Sequence, residues 1–108
     1  MIEKSIEYYV AENGERPFIN WISKLPISDQ VRIEKYIWRV ASGGSRANIK
    51  PLKDGLFEIK INYGPGHRVY FAEDGEKVIL LLVGGDKSSQ KSDIKKAKTY
   101  WREYAQKK

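Results

Sequence analysis

Between Gly55 and Phe71 the chain alternates apolar and polar residues on either side of a Gly-Pro-Gly turn. That pattern describes a β-hairpin, and the alternation assigns every side chain in it to a face. Strand side chains point up and down with period 2, so Phe57, Ile59 and Ile61 share one face and Glu58, Lys60 and Asn62 the other. On the return strand Val69 and Phe71 suit the buried side, which leaves Arg68 and Tyr70 on the open side. Gly64-Pro65-Gly66 supplies the turn, since proline presets φ and the flanking glycines permit positive φ. Lys60 and Arg68 therefore form a cation pair on rigid sheet, beside the carboxylate of Glu58 and the phenol of Tyr70. This open face is the candidate functional surface. The same alternation is also what any solvated antiparallel sheet displays.

Upstream, Lys4 to Val10 is β-prone and opens the sheet. Asn13-Gly14 breaks that strand, and Arg16-Pro17 starts a short helix, because proline is well tolerated in a first turn. Phe18, Ile19, Ile22 and Leu25 give this helix an apolar stripe, with Trp21 beside it, and Pro26 stops it. A second helix follows. Ser28 is its expected N-cap, Asp29 sits in its first turn, and Ile33, Tyr36, Ile37 and Val40 form its apolar face. Gly43-Gly44 ends it. Helices joined this tightly should form an antiparallel hairpin on the sheet face that carries Phe57, Ile59 and Ile61.

Residues 45–54 read as a basic loop containing Arg46, Lys50 and Lys53. After the central hairpin, Asp74-Gly75 signals a turn. Val78 to Val83 is apolar at every position, as expected of a mid-sheet strand buried on both faces. Gly84-Gly85 releases the chain into a last helix from about Ser89, with Ile94, Ala97, Trp101 and Tyr104 on one stripe. Trp21, Trp38 and Trp101 all fall on helices and read as packing residues. The order β-α-α-β-β-β-α makes one α+β domain over residues 1–108, with an antiparallel-rich sheet, an N-terminal helical hairpin and a C-terminal helix.

A chain of 108 residues is long enough to bury roughly 60–70% of its unfolded surface. The absence of cysteine excludes disulfides and thiolate metal sites, and a single histidine without a calcium-loop spacing gives no reason to expect a metal. No cofactor is expected either. Val78 to Val83 is far too short to span a membrane. Met1-Ile2-Glu3-Lys4 runs straight into strand-like sequence, so no signal peptide and a cytoplasmic location are expected.

The net charge of +6 is unevenly spread: residues 1–86 carry 12 Lys/Arg and 12 Asp/Glu, whereas residues 87–108 carry 8 against 2. A basic end on a neutral body suits a polyanion or an acidic protein that covers it, although a lysine-rich helix face also serves solubility alone. No motif for reading DNA is present, so direct DNA reading by this chain alone is not expected.

Two runs carry a resemblance: Gly55-Leu56-Phe57-Glu58-Ile59-Lys60-Ile61 with Gly64-Pro65-Gly66-His67-Arg68-Val69-Tyr70-Phe71, and Leu82-Val83-Gly84-Gly85-Asp86-Lys87-Ser88-Ser89-Gln90 with Asp93-Ile94 and Ala97. Together they resemble the RelE/ParE toxin superfamily, and within it the HigB-like, phage-derived addiction module killer group. The resemblance spans essentially the whole chain and implies a RelE-like fold and the toxin of a type II toxin–antitoxin system. It implies a ribosome-dependent mRNA endoribonuclease (an mRNA interferase) that inhibits translation by metal-free cleavage. The 2′-hydroxyl attacks the scissile phosphate and the 5′-oxygen leaves.

Lys60 matches a lysine acting as base or charge stabiliser, Arg68 matches an arginine that stabilises the transition state, and Lys87 falls near a basic residue that helps protonate the leaving group. Glu58 stands where some relatives have another lysine, and no tyrosine lies near Asp93-Ile94. The superfamily also contains ParE-type gyrase poisons without nuclease activity, which is the alternative. The implied partners are mRNA on the ribosome and a cognate antitoxin, a helix-turn-helix protein.

The residues suit that chemistry. The planar fork of Arg68 pairs with phosphate oxygens and stays charged. Lys60, with an ordinary pKa of about 10.4, is a poor base unless Arg68 and burial under RNA lower it. Glu58 is either the base or a neutralising partner of Lys60. His67 has the best intrinsic pKa for proton transfer, although parity puts it opposite Arg68. Tyr70 could stack on a base, and Lys53, Lys91 and Lys95 are candidate RNA contacts.

Overall fold

The computed structural model describes residues 4–76 and 78–107. Met1–Glu3, part of the stretch over which no signal peptide is expected, lie outside the described residues. The elements run β1 (Ser5–Tyr8), α1 (Pro17–Ile22), α2 (Ile27–Ala41), β2 (Ile49–Pro51), β3 (Leu56–Ile61), β4 (His67–Asp74), β5 (Val78–Gly85), a 3₁₀ turn (Lys87–Ser89) and α3 (Gln90–Gln106). The strands form one five-stranded sheet in the order β1-β5-β4-β3-β2. It is mixed, because β1 pairs with β5 in parallel while every other pair is antiparallel. The fold is α+β, with a C-terminal helix.

The first sheet face follows the sequence pattern. Ile59, Ile61, Val69, Phe71, Ile79 and Leu81 point toward α1 and α2 and meet Phe18, Ile22, Ile33, Ile37 and Val40 in one apolar cluster. The opposite face carries Leu56, Tyr70, Ala72, Leu80, Leu82 and Val83, and α3 lies across it through Ile94, Ala97, Tyr100, Trp101 and Tyr104. The face expected to be open is therefore covered over much of its area. A helix stripe of that kind must bury its apolar side somewhere, and the free face of the sheet is where it does so.

Four smaller expectations are corrected. The basic loop contains β2, a three-residue edge strand too short to show alternation, paired to β3 with Lys50 opposite Glu58. The N-cap of α2 is Pro26 and not Ser28, with Ile27 and Ser28 already helical. Trp38 is 57% exposed and so is not a core residue. Gly84 and Gly85 belong to β5 instead of releasing the chain from it.

The last correction matters for the site. Tyr70 pairs with Val83 but Phe71 with Leu81, so Leu82 has no partner on β4 and forms a β-bulge. An extra residue flips the facing of everything beyond it. Gly84 accordingly faces α1, where a Cβ would collide with the Trp21 ring, and Gly85 faces α3, where a Cβ would collide with Asp93. Both glycines are required by close approach. Among the described residues, no helix is long and apolar enough to cross a membrane.

Candidate functional site

The end of β5 anchors α3 over the sheet. Asp86 accepts hydrogen bonds from the backbone N–H groups of Ser88 (2.8 Å) and Ser89 (3.2 Å) and from the Ser88 hydroxyl (2.5 Å). The Ser88 hydroxyl bond, followed by the two backbone bonds, holds its carboxyl below the usual aspartate range despite some opposing desolvation. Ser89 Oγ donates to the buried Asp93 carboxylate at 2.5 Å, directly over Gly85. This clasp sets Gln90, the first residue of α3, above β3.

There Gln90 Nε2 donates to Glu58 Oε2 at 2.8 Å. A cleft of about 490 Å³ opens beside this bond, bounded by residues 47–50, by Glu58, Lys60 and Asn62, by Arg68, and by Gln90. Lys60 and Arg68 are direct partners across β3 and β4, so they share a face and both reach the cleft. Lys60 is exposed, whereas Arg68 is only 5% exposed.

Arg68 Nε and Nη1 are buried without any hydrogen-bond partner, and no carboxylate lies within ion-pair distance of it among the described residues. A buried guanidinium without an acceptor is costly, and an anion entering the cleft would supply the acceptor. Two buried acids share this face: Glu58, which accepts from Gln90, and Asp93, which lies over Gly85, the β5 partner of Arg68, and accepts from Ser89. Tyr70, directly opposite Glu58, is fully buried, and its hydroxyl has no partner at normal hydrogen-bond geometry. Burial first, and the Glu58 carboxylate second, push its pKa well above the ordinary tyrosine range, so it is a neutral phenol at any working pH.

The remaining expected site residues are dispersed. His67 lies on the other face, with its ring edge-on to Trp21 at 5.8 Å and Nε2 3.5 Å from Asp29 Oδ2, so it does not join Arg68. Tyr70 has no exposed ring to stack on a base, which overturns that expectation. Lys87 is exposed in the 3₁₀ turn, its Cβ beside the β3–β4 turn at Gly66, but it does not line the cleft. Lys91 and Lys95 are exposed along α3 and, with Lys98, border a shallow groove. Lys53 borders a separate cleft of about 470 Å³ with Lys98, Trp101 and Arg102.

Sequence reasoning missed Gln90, although it ends one of the two runs quoted above, because an uncharged amide carries no signature of its own. It placed Asn62 on the face of Lys60 without giving it a role, and it missed Lys50 as a wall of the cleft. Among the described residues, no group of three or more His, Cys, Asp or Glu is placed to hold a metal ion.

Residues 20–104 match the family described as Phage derived protein Gp49-like (DUF891). A Haemophilus influenzae protein described as an "Uncharacterized protein" is 42% identical over 82 residues, covering 75% of this chain and 82% of its own length. With the matched region reaching from within α1 to the last turn of α3, the chain belongs to the Gp49-like family of phage-derived proteins.

Proposed function

We propose that this protein is the toxin of a type II toxin–antitoxin system, a RelE-like, ribosome-dependent endoribonuclease that cleaves mRNA in the cytoplasm, with residues 1–108 forming one toxin domain. Membership of a family associated with addiction-module toxins supports the system. The single observation that carries the reaction is the Lys60–Arg68 pair at one cleft, with the Arg68 guanidinium lacking a protein acceptor.

A phosphodiester in this cleft meets the Arg68 fork on its non-bridging oxygens and the mobile Lys60 ammonium from the solvent side. The 2′-oxygen bonds to phosphorus while the bond from phosphorus to the 5′-oxygen breaks. The products are a 2′,3′-cyclic phosphate and a 5′-hydroxyl. The 2′-hydroxyl proton passes to the Glu58 carboxylate, or to Lys60 where it enters as the neutral amine, and the Lys87 ammonium, reaching in from beside the Gly66 turn, gives a proton to the 5′-oxygen. Charge building on the phosphoryl oxygens is met by donors already in position. His67, on the other face, takes no part. Lys53, Lys91 and Lys95 hold flanking RNA, and a helix-turn-helix antitoxin silences the protein by covering its basic surfaces.

The test is to induce the chain without its antitoxin and map transcript 5′ ends. Abundant new ends within translated regions are expected, and Arg68→Ala at equal protein level should lower their yield about 100–1000-fold. Intact transcripts accompanied by cleaved chromosomal DNA would instead select a gyrase poison.

A further inference from the structure

Given Arg68 as the phosphate clamp of the reaction proposed above, the cleft poses an electrostatic problem. Glu58 and Arg68 are both more than nine-tenths buried and lie on one face of adjacent antiparallel strands. Glu58 stands opposite Tyr70 and Lys60 opposite Arg68, which makes Glu58 and Arg68 diagonal neighbours. Such positions are roughly 7–8 Å apart at the backbone, within reach of two long side chains. A buried carboxylate and a buried guanidinium at that spacing ordinarily close into a bidentate pair. Here they do not. Arg68 keeps Nε and Nη1 unpartnered, and the Glu58 carboxylate is turned toward α3, where Gln90 Nε2 donates to it at 2.8 Å.

We infer that Gln90 is a positioning residue: by holding the Glu58 carboxylate against the start of α3, it prevents Glu58 from neutralising Arg68 and keeps the guanidinium open for a phosphate group. An amide suits this task. It gives a carboxylate a neutral donor, whereas a lysine or arginine at the same point would add a third cation beside Lys60 and Arg68 and compete for the incoming anion. The placement depends on the clasp formed by Asp86, Ser89 and Asp93 over Gly85, so the β5 bulge, the glycine and the amide act as one device.

Without the amide, Glu58 swings to Arg68 and occupies the site from within. If nine molecules in ten adopt that closed pairing, the apparent affinity for an external anion falls about tenfold. Removing the Glu58 charge as well should abolish the competition. A merely structural Gln90 would not be rescued in that way.

The experiment titrates inorganic phosphate into the full-length protein and follows the Arg68 Nε–H resonance by NMR, with Arg68→Ala identifying the signal. Wild type should bind, and Gln90→Leu should weaken binding about tenfold. The double variant Glu58→Gln/Gln90→Leu should return to the affinity of Glu58→Gln alone. Gln90→Met, which keeps the side-chain length, repeats the series if Gln90→Leu does not fold. Unchanged binding in the Gln90 variants, or a double variant that stays weak, overturns the role of Gln90 while leaving the clamp intact. Absence of any Arg68-dependent phosphate binding in wild type overturns both the role and the clamp.

Discussion

The two faces of the sheet bury different kinds of side chain. Under α1 and α2 the cluster is aliphatic and aromatic, from Phe18 through Ile33 and Phe71 to Leu81, and its polar intruder is His67. Under α3 the apolar cluster of Leu56, Leu80, Leu82 and Ala97 shares its face with Glu58, Arg68 and Asp93, all buried, and with the unpartnered Tyr70 hydroxyl. The first face is built for stability. The second spends part of its stability on groups whose partners are incomplete, as expected where a protein must leave room for something it binds.

That contrast breaks most readily at its extremes. Phe71 is fully buried on the α1/α2 side, so Phe71→Ala should cost about 3–5 kcal/mol in denaturant unfolding. Arg68→Met removes a buried cation but keeps the bulk of the side chain. It should leave stability unchanged or raise it by about 1–4 kcal/mol, because an apolar replacement of similar volume relieves uncompensated charge burial. If Arg68→Met unfolds as easily as Phe71→Ala, the two faces are energetically alike and Arg68 is a structural residue.

A pH titration sharpens the same contrast on the α3 side. Tyr9 donates to Glu103 at 2.7 Å, and burial together with that carboxylate raises its pKa to about 12. Tyr104 donates to Asp74 at 2.7 Å, and that bond together with burial raises its pKa to about 12 as well. Both values exceed the ordinary 10.0, so the folded state favours the protonated phenols. Their contribution is complete below pH 10 and is lost as pH rises from 10 toward 12. Unfolding monitored across that window should show stability falling, and Tyr9→Phe should flatten the fall. An unchanged slope in Tyr9→Phe would remove Tyr9 from the α3 anchorage.

The smallest effect is local. Lys53 and Asp54 adopt φ of 86° and 56° in the turn between β2 and β3, a left-handed region that aspartate tolerates and lysine enters only with strain. Lys53→Gly should raise the melting temperature slightly, by the equivalent of up to about 1 kcal/mol. A fall would mean that Lys53 makes a stabilising contact of its own.

Much of this architecture was legible. Alternation in β3 and β4 assigned Phe57, Ile59, Val69 and Phe71 to one face and Glu58, Lys60, Arg68 and Tyr70 to the other, and the stripe on α3 announced that this helix had a surface to bury. Nothing in that stripe names the surface, so burial of Glu58, Arg68 and Tyr70 beneath α3 was not visible. The β5 bulge was hidden for a related reason. A run that is apolar at every position from Val78 to Val83 carries no parity, and a one-residue slip at Leu82 leaves no trace in it. The cation pair was readable because charge on a strand is conspicuous. The amide that keeps its acidic neighbour away was not.

The most direct test sets purified protein against ribosomes programmed with a defined mRNA and compares wild type, Lys60→Ala and Arg68→Met, with thermal unfolding measured on the same samples. The account predicts cleavage by wild type, losses of about 100–1000-fold in Arg68→Met and a substantial loss in Lys60→Ala, with no drop in melting temperature for either variant. Full cleavage by a folded Arg68→Met protein would contradict it.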